Sequence, residues 1–184
     1  MDWCTHDLTK RFEMKTEAKS VTIYTDGACL RNPGAGGYAV VIAHGKHRKE
    51  LSGGYRKTSN NRMEIMAAIV GLEALKERCV VSLYTDSKYL QQSISLGWAA
   101  RWRAKGWKKG NGERLNRDLW GRLLDLCAKH DVKFVWVRGH SGNTENERCD
   151  FLANQAAGKK DLPPDTYYEE SAPLPEQEGQ RSFF

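Results

Sequence analysis

Val21-Thr-Ile-Tyr-Thr-Asp26-Gly27-Ala-Cys29-Leu-Arg-Asn32-Pro-Gly-Ala-Gly-Gly37-Tyr38-Ala-Val-Val-Ile42 is the stretch on which the fold turns. Val21 to Asp26 alternates apolar and polar residues as a half-buried strand does. Asn32 to Gly37 is turn chemistry, and Tyr38 to Ile42 reads as a second strand. A third strand is expected from about Lys49 to Tyr55, and the short links between the three predict an antiparallel meander. Asn61 to Arg78 is helix-forming and nearly continuously apolar, which predicts a largely buried helix. Val80 to Thr85 reads as a strand and is followed by a helix from about Ser87. Leu119, Leu123 and Leu126 mark an amphipathic helix over Asn116 to Lys129, Val132 to Val137 is a last strand, and Thr144 opens a last helix reaching about Ala157. Strands first, then helix and strand in alternation, predict an α/β fold in which helices pack on the faces of a mixed sheet.

The chain has 184 residues, long enough for one domain with tails and a sizeable core. Six Trp and seven Tyr are too much aromatic material for a wholly disordered chain. No run of 18 apolar residues exists and the first 20 residues lack the apolar stretch of a secretory signal, so a soluble, cytoplasmic protein with no membrane partner is expected. Residues 1–20 have no clear period and read as a poorly ordered N-terminal arm. Residues 159–184 hold four of the five prolines, with three basic and six acidic residues, and read as a flexible acidic tail, although Tyr167, Tyr168, Phe183 and Phe184 could dock it onto the body or a partner. Residues 1–158 are then left with a net charge of +9, against +6 for the whole chain. A basic body points to a polyanionic partner, most often nucleic acid, although a merely soluble basic protein has the same composition. The five cysteines are odd in number and unpaired in spacing, which fits reduced thiols and gives no zinc signal.

Four acids stand out by position. Asp26 ends the first expected strand, directly before Gly27. Glu64 shares a helix stripe with Ala68, Gly71, Leu72 and Leu75, where an aliphatic residue belongs, so it needs a cation or hydrogen-bond donors. Asp86 stands at a strand-to-helix junction, and Asp150 on the last helix shares a face with Ala153 and Ala157. Each has a plainer reading: Asp86 as a helix cap, Asp26 as a turn acid, Glu64 as the partner of a buried Arg. Together they would converge from neighbouring strand ends and a helix face. Clustered carboxylates repel unless a hard divalent cation neutralises them, and oxygen-only ligands suit Mg²⁺ or Mn²⁺.

Five ordered motifs carry a resemblance. Ile23 to Gly37, Thr58-Ser-Asn60-Asn61-Arg-Met-Glu64, Tyr84-Thr-Asp86-Ser, Arg138-Gly-His140-Ser-Gly and Glu145-Asn-Glu147-Arg-Cys-Asp150 resemble type 1 ribonuclease H from about Val21 to Ala157. The resemblance implies a ribonuclease H-like fold, a five-stranded mixed sheet with helices on both faces. It implies an endonuclease that cuts the RNA strand of an RNA–DNA hybrid with Mg²⁺ and leaves 5′-phosphate and 3′-hydroxyl ends. Asp26, Glu64, Asp86 and Asp150 would be the metal-ligating carboxylates for two ions. His140, between Gly139 and Ser141-Gly142, would assist proton transfer or product release, although a lone His is more often structural. Glu147 stands three residues after Thr144, the spacing of a capping box, and is otherwise a supporting residue behind the metal ligands.

The stretch from Trp98 to Arg122 has eight basic residues and two acids, with Trp98, Trp102 and Trp107 interleaved. A solvated helix pair whose Trp residues pack against one another would show the same pattern. The resemblance reads residues 98–114 as a basic handle whose Trp residues and Lys108 contact the hybrid. It also places Cys29, Asn32, Asn60 and Asn61 at the minor groove, where the 2′-hydroxyl distinguishes RNA from DNA. Lys57, Ser59 and Asn116 would hold a phosphate of the DNA strand. Lys57 and Ser59 stand where the family more often has Arg and Thr, and Lys88 where Gln is commoner. Related transposases, integrases and junction resolvases share the carboxylates, but Asn60-Asn61-Arg62-Met63-Glu64 argues for the hybrid-cutting type. The alternative of a different class is a non-catalytic hybrid- or double-stranded-RNA-binding protein on the same scaffold. No obligate protein partner is indicated, and a monomer suffices.

Overall fold

The computed structural model describes residues 18–110, 112–113 and 115–171. Its elements run β1 (Lys19–Cys29), β2 (Gly34–His44), β3 (His47–Thr58), α1 (Asn60–Glu73), β4 (Cys79–Thr85), α2 (Lys88–Ser95) and α3 (Trp98–Ala104). They continue through the short ribbon β5 (Lys108–Lys109) and β6 (Gly112–Glu113) to α4 (Arg117–Lys129), β7 (Asp131–Trp136), α5 (Thr144–Ala157) and α6 (Thr166–Ser171). The main sheet has the order β3-β2-β1-β4-β7. β1, β2 and β3 form the expected antiparallel meander, while β4 pairs parallel to β1 and β7 parallel to β4. The five-stranded mixed sheet is therefore observed.

Strand alternation sends side chains to two faces. Val21, Ile23, Val40, Val81 and Leu83 face a core filled by α1, α2 and α4, where Ile65, Ile69, Leu72, Leu90, Leu123 and Trp120 are wholly buried. Tyr24, Ala28, Ala39 and Val41 face the other way and pack against Cys149, Leu152 and Ala153 of α5. Helices thus cover both faces. Gly37 lets α5 lie close to the sheet, since a Cβ there would sit 2.2 Å from the Ala153 carbonyl oxygen, and α5 carries Asn146 and Asp150 toward the acids.

The boundaries differ from the sequence reading in instructive places. β1 runs on past Asp26 to Cys29 because its pairing with β2 continues, with Asp26 opposite Ala39 and Cys29 opposite Gly36. The parallel pairing with β4 stops at Thr25–Thr85, so Asp26 marks the end of one ladder and not of the strand. α1 stops at Glu73 instead of Arg78, since β4 starts at Cys79 opposite Lys19 and the intervening residues must reverse the chain. The arm expected over residues 1–20 lies outside the described residues up to position 17, and Lys19 and Ser20 belong to β1.

The largest difference concerns the segment after Gly158. Residues 172–184 lie outside the described residues, but 159–171 is no free tail. The Arg56 N–H donates to the Pro163 carbonyl at 2.9 Å, α6 follows, and Asp165 is only 5% exposed. A buried Arg62 explains this, because its guanidinium requires more carboxylate than Asp118 alone supplies.

Two helix starts settle plainer readings of the acids. α2 is capped by Ser87, whose Oγ accepts from the Leu90 N–H at 3.3 Å, so Asp86 is free of capping duty. α5 is capped by Asn143, which accepts from the Asn146 N–H at 3.1 Å, and not by Thr144. Glu147 instead reaches back to accept from the Gly142 N–H at 2.9 Å, a stapling role at the helix entrance. Replacing Ser87 by Ala is expected to cost about 1 kcal/mol, read as a melting temperature lower by about 2–4 °C. An unmoved melt would return the capping role to Asp86.

Candidate active site

The site is assembled by register and one close approach. Thr25 lies beside Thr85 in the parallel β1–β4 ladder, so the residues that follow, Asp26 and Asp86, emerge side by side. Glu64 arrives from α1, which rests directly on β1 at Gly27. A Cβ built on Gly27 would lie 2.3 Å from the Glu64 backbone nitrogen and 2.5 Å from the Met63 carbonyl carbon. Only glycine lets the helix approach this closely, and that contact sets the Glu64 carboxylate beside Asp26. One carboxylate oxygen each from Asp26, Glu64 and Asp86 lies within 4.8 Å of the others.

Asp150 reaches the trio from α5 on the opposite face of the sheet. It is half-buried, accepts from Asn154 Nδ2 at 2.8 Å and contacts the Asp26 carboxylate, but it stands outside the tight three-acid group. Burial, then the charges of Asp86 and Asp150, push the Asp26 carboxyl from its usual 3.8 up to about 8, against the opposing pull of the Gly27 N–H at 2.8 Å. Burial foremost, then Asp26 and Asp86, hold Glu64 well above the usual carboxylate range. Its Oε1 accepts only a long 3.5 Å bond from Asn60 Nδ2, and its Oε2 is buried without any hydrogen-bond partner. An orphaned buried carboxylate oxygen facing two further acids, all hard oxygen donors, fits a divalent cation and little else.

Two features beside the acids escaped the sequence reading. Asn146, 2% exposed, donates from Nδ2 to Asp86 Oδ2 at 3.4 Å and so braces that carboxylate. It lies four residues before Asp150 on the same helix face, a spacing that was available as a signal. Trp136 donates its indole N–H to the Asp86 carbonyl at 3.0 Å, and Lys88 sits 5.1 Å from the centre of the same ring. Gly139 passes so close to Asp86 Oδ2 that a Cβ there would lie 2.6 Å away. His140, next in sequence, is exposed with a left-handed φ of 51°, on the loop that rims the acids.

The expected substrate residues fall into two groups. Cys29, Asn32, Ser59 and Asn60 gather at the acidic end of the sheet. The Cys29 thiol lies within reach of two carbonyl acceptors, those of Gly34 and Thr58, Asn32 Oδ1 accepts from the Asn60 N–H at 3.1 Å, and Ser59 caps α1 by position without using its hydroxyl. Lys57 and Asn61 are exposed beside them. Asn61 and Asn116 line a cleft of about 210 Å³ together with Tyr89, Lys109 and Leu115, which joins this group to the ribbon carrying Lys108. The three Trp residues behave differently. Trp102 packs edge-on against the buried Trp120, ring centres 5.7 Å apart, and both it and Trp107 pack against the main core. Trp98 is half-buried at the start of α3. Trp102 and Trp107 thus anchor the basic segment to the body through apolar contacts, leaving Lys105, Lys108 and Lys109 exposed.

Comparison with known proteins agrees with this geometry. Residues 18–158 match the family model described as RNase H. The chain is 64% identical over 155 residues to the ribonuclease H of Syntrophus aciditrophicus, a match covering 84% of this chain and 90% of that one. It is 60% identical over 158 residues to that of Trichodesmium erythraeum, covering 85% and 99%. The crystal structure of LC9-RNase H1, a type 1 RNase H with the type 2 active-site motif, superposes with a TM-score of 0.71 at 29% identity, covering 85% of this chain and 82% of that one. Among the described residues no helix is long and apolar enough to cross a membrane. With its sheet order, its buried acids and a match spanning both, the chain belongs to the ribonuclease H family, type 1, whose activity is hydrolysis of the RNA strand of RNA–DNA hybrids.

Proposed function

We propose that this ribonuclease H cuts its hybrid endonucleolytically with two divalent cations, Mg²⁺ or Mn²⁺ in its place, held by Asp26, Glu64, Asp86 and Asp150, and leaves 5′-phosphate and 3′-hydroxyl ends. The orphaned Glu64 Oε2 within the three-acid cluster carries this reading. Bound there, the cations would supply the Lewis acidity that phosphodiester hydrolysis needs. The chain's own residues do the rest. Asn146 and the Gly139 backbone hold Asp86 in place, while Asp150 completes the acid set from α5. His140, on its exposed glycine-flanked loop, moves a proton to the departing oxygen or eases product release. Cys29, Asn32, Asn60 and Asn61 meet the 2′-hydroxyls across the shallow minor groove. Lys57, Ser59 and Asn116 hold a DNA phosphate, and Lys88, Lys108 and the Trp-anchored segment add phosphate contacts. One chain supplies every residue of the site, which suits a monomer.

Cleavage of an end-labelled hybrid tests this, with duplex DNA, duplex RNA and single-stranded RNA alongside. Mg²⁺-dependent cutting of the hybrid's RNA strand alone, stopped by EDTA and yielding 5′-phosphate ends, is expected. Tight hybrid binding without cleavage in Mg²⁺ or Mn²⁺ would favour the binding-protein alternative.

A further inference from the structure

Asp165 lies outside residues 18–158, the span matched by the family model, yet it is as buried as Asp26. Its Oδ2 accepts from Thr58 Oγ1 and from Arg62 Nε, both at 2.7 Å. Its Oδ1 accepts from Arg62 Nη2 at 2.8 Å and from the Tyr168 N–H at 3.3 Å. Arg62, 1% exposed, turns its other edge to Asp118, with bonds of 2.9 and 2.7 Å, and its Nη1 donates to Asn116 Oδ1 at 3.5 Å. The rings of Tyr167 and Tyr168 lie 5.3 and 5.9 Å from the guanidinium carbon.

The residues tied together in this way are not arbitrary. Thr58 lies between Lys57 and Ser59, and Asn116 meets the first turn of α1 at Arg62 and shares a cleft with Asn61. A guanidinium offers only donors, so Asn116 must turn its amide oxygen toward Arg62, which leaves its NH₂ for an outside acceptor such as a phosphate oxygen. Asp118 alone would satisfy one edge of Arg62 and leave the Nε edge free to swing. Asp165 fixes that second edge and at the same time holds Thr58.

We infer that Asp165 is a positioning residue for hybrid binding. Through Arg62 and Thr58 the C-terminal segment fixes the spacing of Lys57, Ser59 and the Asn116 amide, and so the pocket for a DNA-strand phosphate. The inference rests on the ribonuclease H reading above.

Electrostatics gives the test its edge. Asp165→Asn and Glu169→Gln each remove one negative charge from the same segment, and charge alone would tighten hybrid binding in both. Glu169 pairs with the exposed Arg56 and lies near the charge of Lys57, and it has no hydrogen bond to Thr58 or Arg62 among the described residues. The test measures hybrid affinity of the full chain by fluorescence anisotropy in EDTA, well below each variant's melting temperature, followed by kcat and KM in Mg²⁺. Asp165→Asn is expected to weaken affinity about fivefold and raise KM equally with kcat unchanged, while Glu169→Gln is not weakened. Thr58→Val, which keeps the ion pairs and deletes one hydrogen bond, is expected to weaken affinity about twofold. Asp165→Glu should recover part of the loss. Wild-type affinity and KM in Asp165→Asn, whatever its melting temperature, would overturn the inference and leave Asp165 a purely structural anchor. If the wild-type chain itself fails to bind or cut the hybrid, the parent reading falls, and the same experiment shows it.

Discussion

Replacing Asp26 by Asn is expected to abolish hybrid cleavage while making the metal-free protein more stable at pH 8. The two effects share one origin. Asp26 faces Glu64, Asp86 and Asp150 from a nearly buried position, and burial with like charge raises its carboxyl from the usual 3.8 to about 8. Glu64 is displaced in the same direction for the same reasons. In the metal-free fold these groups keep their protons at pH values where the unfolded chain has lost them. The folded state then binds more protons than the unfolded one, so stability is fully present below pH 4 and falls as pH rises toward 8. For Asp26 the loss is on the order of 4 kcal/mol, and Asn, which carries no charge, removes it. In EDTA at pH 8 the variant should melt about 8–16 °C above wild type, with the gap closing toward pH 4. Saturating Mg²⁺ should stabilise wild type far more than the variant, and cleavage should fall at least about a thousandfold. A variant that melts below wild type in EDTA at pH 8 would mean that the acids are not in electrostatic conflict, and the cation-site argument would lose its basis.

The acids were legible because each breaks a local pattern. Glu64 interrupts an apolar helix stripe, and Asp26 and Asp86 follow alternating runs, which puts them at the ends of two strands. The parallel register of β1 and β4, which places them side by side, follows once both strands are recognised. The supporting contacts were not legible in the same way. Arg62 and Asp165 are 103 positions apart, and although Tyr167 and Tyr168 hint that the Pro-rich segment could dock, no periodicity links a buried arginine to its acid. A buried Arg was foreseen only as a partner for Glu64, whereas its actual partners leave Glu64 Oε2 bare. Trp102 and Trp107 left two readings open for a related reason. Aromatic residues among cations look alike in sequence whether the rings face phosphate or a core, and the packing of Trp102 on Trp120, which lies on a different helix, follows no sequence period. The same limit applies to Asn143 and Thr144, adjacent residues that can each cap a helix, where only the backbone path shows which one does.

Two glycine-to-alanine substitutions should move stability in opposite directions, and only one of them should touch the chemistry. Gly121 lies within α4, and a Cβ there meets nothing nearer than the Trp107 ring at 3.9 Å, an ordinary contact. Gly121→Ala should therefore gain up to about 1 kcal/mol from helix propensity. At Gly27 the same methyl would lie 2.3, 2.5 and 2.9 Å from backbone atoms of Met63 and Glu64. No side-chain rotation relieves a clash with backbone, so α1 must lift from β1, at a cost of about 3 kcal/mol or more. The melting temperature should drop by about 6–12 °C. Because α1 carries Glu64, the helix cannot lift without drawing that carboxylate away from Asp26 and Asp86. Gly27→Ala should consequently lose divalent-cation affinity and cleavage even at temperatures where circular dichroism shows it folded, while Gly121→Ala keeps both. A Gly27→Ala protein with wild-type melting and wild-type cation affinity would show that the helix–strand contact does not set the acid spacing. The position of Glu64 would then have to come from the far end of α1, where Gly71 packs against Ile23 and Val40.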